Sequence, residues 1–171
     1  MTGKSILNIQ PLRRIRQNHA LEHATLQVLA GKHPKLVLAG YSDASGFWIL
    51  GDVETGELLK AVEEARQRML AGEKGLAVHP HCGTNFALSG LVAGTAAWAA
   101  MLPPAPLKKR ADRWSLVVVL VTLAFILTAP LGPMVQANIT TEGDMGDLQV
   151  KEIVRYPRQN MVTHRVRTKG S

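Results

Sequence analysis

The sequence predicts an α+β membrane protein: a small α-β-β-α-β domain, a two-helix transmembrane hairpin and a C-terminal β-hairpin. Three observations carry that prediction. Apolar residues recur at helical spacing over residues 11–31 and 53–71. Two long uncharged apolar runs follow, Phe86–Leu102 and Trp114–Gln136. The tail then alternates apolar and polar residues on either side of a turn signal at Pro157–Asn160. Residues 1–85 are therefore expected as the domain and 86–136 as the membrane hairpin, with spans 86–102 and 114–136 and a basic loop 103–113. Residues 137–171 complete the chain as the tail.

The elements follow in order. The first helix stops at Gly31, with Lys32 and Pro34 beyond it. Lys35–Ala39 and Phe47–Leu50 are short β-rich runs separated by the turn-rich stretch Tyr41–Gly46. The second helix has Asp52 or Thr55 near its start and Gly72 past its end. Leu76–His79 reads as a third strand running into His79-Pro80-His81-Cys82-Gly83, and Thr84 or Asn85 caps the first span. Phe86–Leu102 is about as long as the shortest bilayer-crossing helices. Gly90 and Gly94 lie four apart in it, spacing that lets a neighbouring helix approach closely. Trp114–Gln136 is longer and more apolar. Leu148–Arg155 and Met161–Thr168 pair as the tail hairpin. Two spans in a hairpin put both flanking regions on one side of the membrane, where they can build one domain together.

The charge narrows the partners. The chain carries +7 in all, distributed as +2 over residues 1–85, +3 over 103–113 and +2 over 137–171. No basic stripe interleaved with aromatics appears, which excludes a nucleic-acid partner and leaves anionic membrane lipid as the expected one. Other membrane-protein subunits are the further expected partners; no substrate can be read. Cys82 is the single cysteine, so no disulfide framework exists. The basic loop alone asks for the cytoplasm by the positive-inside rule. Lys and Arg flanking the spans, and the lack of a signal-peptide pattern near residue 1, favour a cytoplasmic domain instead. The expected location is the plasma (inner) membrane.

The candidate site is His19-Ala20-Leu21-Glu22-His23, an H-x-x-E-H run inside the first helix. Histidines four apart share a helix face, and the glutamate lies beside them. Wound at 100° per residue, Ile15, His19, Glu22, His23, Leu26, Leu29 and Ala30 fall on one arc, while Arg13, Arg16, Gln17 and Gln27 point elsewhere. Burying two imidazoles and a carboxylate is costly unless they are paired or bound to an ion. A zinc-type ion held by His19 and His23, with Glu22 as the base for a bound water, answers that cost. A buried Glu–His pair that only fixes packing answers it too. Further ligands are expected from His81 or Cys82, because His79 precedes Pro80 in an extended segment and faces the other way.

The string His19 to His23 resembles the inverted zinc motif of the insulysin-type metallopeptidases, which implies two zinc-binding histidines and a glutamate base. The acidic ligand that this resemblance places about seventy residues on falls at Ala96–Ala100, where there is no acid. A broader set of residues is similar to an uncharacterised bacterial family of two-span membrane proteins, a domain of unknown function. It comprises Asn18–Thr25, Gly46-Phe47-Trp48, Val78–Asn85, Pro130–Pro133 and Thr140-Thr141. That resemblance implies an architecture and no activity. The expected function is a membrane-anchored zinc protein, with metal-dependent hydrolysis as its chemistry. The alternative is a non-catalytic accessory subunit of a membrane complex.

Overall fold

A computed structural model describes residues 6–102, 106–158 and 161–170. Residues 103–105 of the expected basic loop, and 159–160 at the tip of the expected turn, lie outside the described residues. The chain divides into two compact units, Met1–His79 with Gln136–Ser171, and Pro80–Val135.

The first unit contains helix α1 (Leu12–Lys32), strands β1 (Ala39–Asp43) and β2 (Gly46–Leu50) and helix α2 (Thr55–Leu70). It continues with a 3-10 turn (Lys74–Ala77), a π-turn (Gln136–Thr140) and strands β3 (Gln149–Arg158) and β4 (Met161–Lys169). The four strands form one antiparallel sheet in the order β1-β2-β4-β3. One face of the sheet is apolar. Phe47, Ile49 and Val166 point from it into a core completed by Leu21, Ala24 and Leu29 of α1 and Leu58, Ala61, Val62 and Ala65 of α2. Burying each large apolar side chain there stabilises by about 1.5–3 kcal/mol. Helices on one face and solvent on the other give a two-layer unit.

Several expectations change. β1 begins four residues later than predicted, because Tyr41–Asp43 belongs to the strand and only Ala44-Ser45 turns. Asp43 pairs with Gly46, whose φ of 143° suits glycine and whose added Cβ would collide with the Val166 carbonyl oxygen. The expected strand at Leu76–His79 is instead a 3-10 turn leading into extended chain. Its carbonyls are taken by α1 side chains: Gln27 Nε2 donates to Leu76 O and Val78 O, and His23 Nδ1 donates to Ala77 O. A backbone satisfied by side chains has no need of a sheet neighbour. The C-terminal hairpin and the N-terminal strands build one sheet together, since β4 pairs with β2. Pro157 lies within β3, which tolerates it as an edge strand.

Helix α1 is buried nearly all round, not along one arc. Arg14, Arg16, Gln17 and Asn18 are buried together with the apolar residues. Asn18 shows how: its Nδ2 donates to Asp43 O at 2.8 Å and its Oδ1 accepts from Thr168 Oγ1 at 2.7 Å, tying α1 to β1 and β4.

The second unit contains α3 (Gly83–Met101), α4 (Leu107–Asp112), α5 (Trp114–Thr128) and α6 (Leu131–Val135). Helices α3 and α5 pack against each other, and Ser89 Oγ and Thr128 Oγ1 share a hydrogen bond of 2.8 Å. Gly90 and Gly94 do not make the close approach expected of them. A Cβ at either would meet nothing within 4 Å. The tight glycine is Gly132, where a Cβ would strike the Asn85 side chain.

The two-span prediction is corrected here. Among the described residues one helix, Lys108–Thr128, is long and apolar enough to cross a membrane by length and composition. α3 falls short because Ala, Gly, Ser and Thr contribute little apolar surface per residue. The run Trp114–Gln136 does not form one helix: α5 stops at Thr128 and α6 begins at Leu131. Pro130 has no N–H to give a helix, and its ring obstructs the preceding turn. The architecture is mixed α/β with a single four-stranded antiparallel sheet.

Candidate metal centre

One turn of α1 stacks His19 over His23, with ring centroids 4.3 Å apart at 62° and ligand atoms within 4.8 Å of one another. His23 is fully buried and His19 half-buried. Each ring is held from its Nδ1 side. His19 Nδ1 lies 2.9 Å from Thr140 O and His23 Nδ1 lies 2.7 Å from Ala77 O. A carbonyl only accepts, so both Nδ1 atoms carry the hydrogen, and in the neutral rings both Nε2 atoms carry the lone pair. That is the tautomer a metal requires.

The two carbonyls are themselves fixed. Gln27, one turn on from His23, holds the Leu76–Val78 backbone at 2.8 and 3.0 Å. Arg16, one turn before His19, holds the 136–142 segment: Nε donates to Ile139 O at 2.7 Å, Nη2 to Thr141 O at 2.8 Å, and Nη1 meets Glu142 at 3.3 Å. The buried Gln136 accepts from His79 N at 2.8 Å through Oε1, and its own carbonyl accepts from Thr141 Oγ1 at 2.8 Å. Arg16, Gln27, Gln136 and Thr140 were not singled out in the sequence as parts of a site. Arg16 precedes His19 and Gln27 follows His23 by one helical turn, a spacing present in the sequence, where both residues are placed off the histidine arc.

The remaining candidates lie as follows. His79 turns toward the pair, against expectation, with its ring centroid 5.6 Å from that of His23. Glu22 is buried with its carboxylate against Gly40 of β1, where a Cβ would sit 2.6 Å from Oε1. His81 and Cys82 open the second unit. His81 is exposed, whereas Cys82 is buried and caps α3, its Sγ accepting from Thr84 N at 3.4 Å.

An α/β unit whose central helix offers two oriented imidazoles is the class of protein that the fold and this site define. The chain belongs to the DUF6391 family, a domain of unknown function, whose profile matches residues 14–153. It is also similar to an uncharacterised protein of Picosynechococcus sp., 37% identical over 140 residues, covering 74% of this chain and 65% of the relative. The match thus spans just under two thirds of that relative's length. No solved structure matches the chain.

Proposed function

We propose that the chain binds a borderline divalent metal of the zinc type through Nε2 of His19 and His23. The observation that carries this reading is the pair of Nδ1–H···O=C hydrogen bonds, which gives both rings the ligating tautomer and a fixed orientation. Imidazole donors suit zinc, copper or nickel far better than calcium or magnesium. Cys82 is proposed as the third ligand. Its sulfur is a soft donor that suits the same borderline metals as the imidazoles. Its place at a helix N-terminus, accepting an N–H, favours the thiolate that a metal needs.

Binding is the primary reading and hydrolysis the secondary one. A hydrolytic centre needs Glu22 to reach a metal-bound water, and its packing against Gly40 favours the former. The test is metal analysis of the purified full chain after zinc loading and dialysis. About one equivalent is expected, lost on joint His19→Ala and His23→Ala replacement and weakened by Cys82→Ser. A wild-type chain that retains no zinc sinks the proposal.

The exposed apolar face of α5, which includes Leu116, Val119, Leu123, Phe125 and Leu127, favours a second reading. In it the Lys108–Thr128 helix seats the chain at the plasma membrane, against lipid or the apolar surface of another subunit, and the protein acts as an accessory factor. Native mass measurement after detergent extraction separates the two partners. A stable hetero-assembly supports the subunit, and a lipid-bearing single chain supports the bilayer.

A further inference from the structure

The face of the sheet turned away from the core carries a second group of interacting side chains. Cross-strand register puts Tyr41, Trp48 and Arg165 side by side, with Tyr41 opposite Trp48 and Trp48 opposite Arg165. Tyr41 and Trp48 stack at 6.0 Å and 19°, and Tyr156 of β3 meets Trp48 from the other side at 5.5 Å. Arg165 lies over the indole, its Cζ 5.1 Å from the ring centroid. Beside this platform opens a cleft of about 460 Å³ lined by Trp48, Tyr156, Ser45, Lys151, Arg165 and Arg167 among others. Its size is within the range of small-molecule sites.

The charges in the cleft are unequal. Arg165 is 5% exposed, and its Nη2 is held by Asp43 Oδ1 at 2.7 Å and by Ser45 Oγ. Its Nη1 is buried without any hydrogen-bond acceptor. Arg167 is balanced by Glu152 at 3.0 Å, whereas Lys151 has no ion pair among the described residues. Asp43 also lines the cleft but is engaged by Arg165, so two cations remain there, Arg165 with a desolvated Nη1 that lacks an acceptor and Lys151 without a counter-charge. Both surround an aromatic surface. A buried guanidinium N–H lacking an acceptor is the costly member of such a group. The surrounding structure pins its other nitrogen, so it cannot turn away to find one.

We propose that this cleft binds a small organic anion with an aromatic ring, an aryl phosphate or carboxylate. The ring lies against Trp48 and Tyr156. The anionic group takes the Arg165 Nη1 hydrogens and the Lys151 ammonium. The site is built from β2, β3 and β4 with Asp43 and Ser45 at the β1–β2 turn and uses none of the proposed metal ligands, so it stands apart from the histidine centre. Each type of contact supplies a separate selectivity. The cations require the oxyanion, and the aromatic platform requires a flat ring.

Isothermal titration of the full chain with phenyl phosphate, cyclohexyl phosphate and inorganic phosphate separates those contributions. Phenyl phosphate is expected to bind about tenfold more tightly than cyclohexyl phosphate, and inorganic phosphate more weakly than either. Lys151→Met, an exposed change that leaves the fold intact, is expected to weaken phenyl phosphate about fivefold. Trp48→Leu, checked for retained secondary structure, removes the preference for the aromatic ring. The His19→Ala/His23→Ala chain keeps the wild-type affinity. No binding of phenyl phosphate at millimolar concentration overturns the proposal, as does binding indifferent to Lys151→Met or lost with the histidine pair.

Discussion

His23 donates its Nδ1 hydrogen to the Ala77 carbonyl at 2.7 Å, across 54 residues of chain. The acceptor does not depend on His23 alone, because Gln27 grips the carbonyls on either side of it. Ring orientation is thus set by a side chain that never touches the proposed metal. Gln27→Leu strips that grip while keeping helix and volume. We expect zinc affinity to fall about 10–100-fold and stability to drop by about 1–3 kcal/mol as two carbonyls lose their donor. Competition with a chromophoric chelator reads the first effect and urea unfolding the second. Unchanged affinity would show that the turn holds its shape without Gln27.

Arg16 ties α1 to residues 138–142 through several acceptors at once. Arg16→Met keeps the apolar stem and removes every donor, so about 3 kcal/mol of stability should be lost. The urea midpoint should shift with little change in slope. A shift under half that size would mean that water replaces the guanidinium.

The pH dependence of stability has a sign fixed by His164. Burial, and secondarily the Arg155 charge, hold its pKa below the usual 6.5, so the folded chain resists protonation that the unfolded chain accepts. Stability supplied by the neutral ring is complete above pH 6.5 and is lost as pH falls below it. Asp43 has the same sense in a lower window. Burial opposes its ionisation, but the Arg165 hydrogen bond, the Ser45 contacts and the Arg165 charge together outweigh burial and lower its pKa from 3.8. Urea midpoints should therefore fall between pH 7.5 and 5. His164→Gln, which keeps a group able to bond Thr55, should flatten that part of the profile. An undiminished slope in the variant would assign it to another group.

Gly46→Ala tests the tight turn. Its φ of 143° and the nearness of the Val166 carbonyl leave no space for a methyl group. A loss of about 2 kcal/mol or more is expected, from backbone strain and displacement of β4 together. Thermal denaturation checks it, and a neutral result would mean that the turn relaxes freely.

How much of this was legible in the sequence depends on the range of the interaction. The first helix, the second helix and the tail hairpin were found within a few residues, because periodicity and turn residues act locally. The relation of His19 to His23 was legible for the same reason. The burial of Arg16 and Gln17 was not, since their polar groups meet carbonyls of residues 139–145, more than 120 positions away. Leu76–His79 has strand-like residues, but its carbonyls face α1, a fact no local pattern contains. Proximity of Trp48 and Arg165 required the pairing of β2 with β4, invisible until the register is known. The two-span reading failed at Phe86–Leu102, where lack of charge was taken for apolarity in a helix rich in Ala, Gly, Ser and Thr, while Pro130 shortened the second run to the single candidate helix that ends at Thr128.

The strand order also dictates when this protein can fold. β4 is an interior strand, yet it is made after every other element of the sheet. On the ribosome, β1 and β2 can close only their own hairpin, and the apolar residues Phe47 and Ile49 wait without their β4 neighbours until residue 169 has been synthesised. Meanwhile the apolar segment 107–128 has already emerged. A nascent chain with that order of events carries the apolar segment 107–128 while Phe47 and Ile49 still lack their final sheet neighbour, which comes only with its last strand.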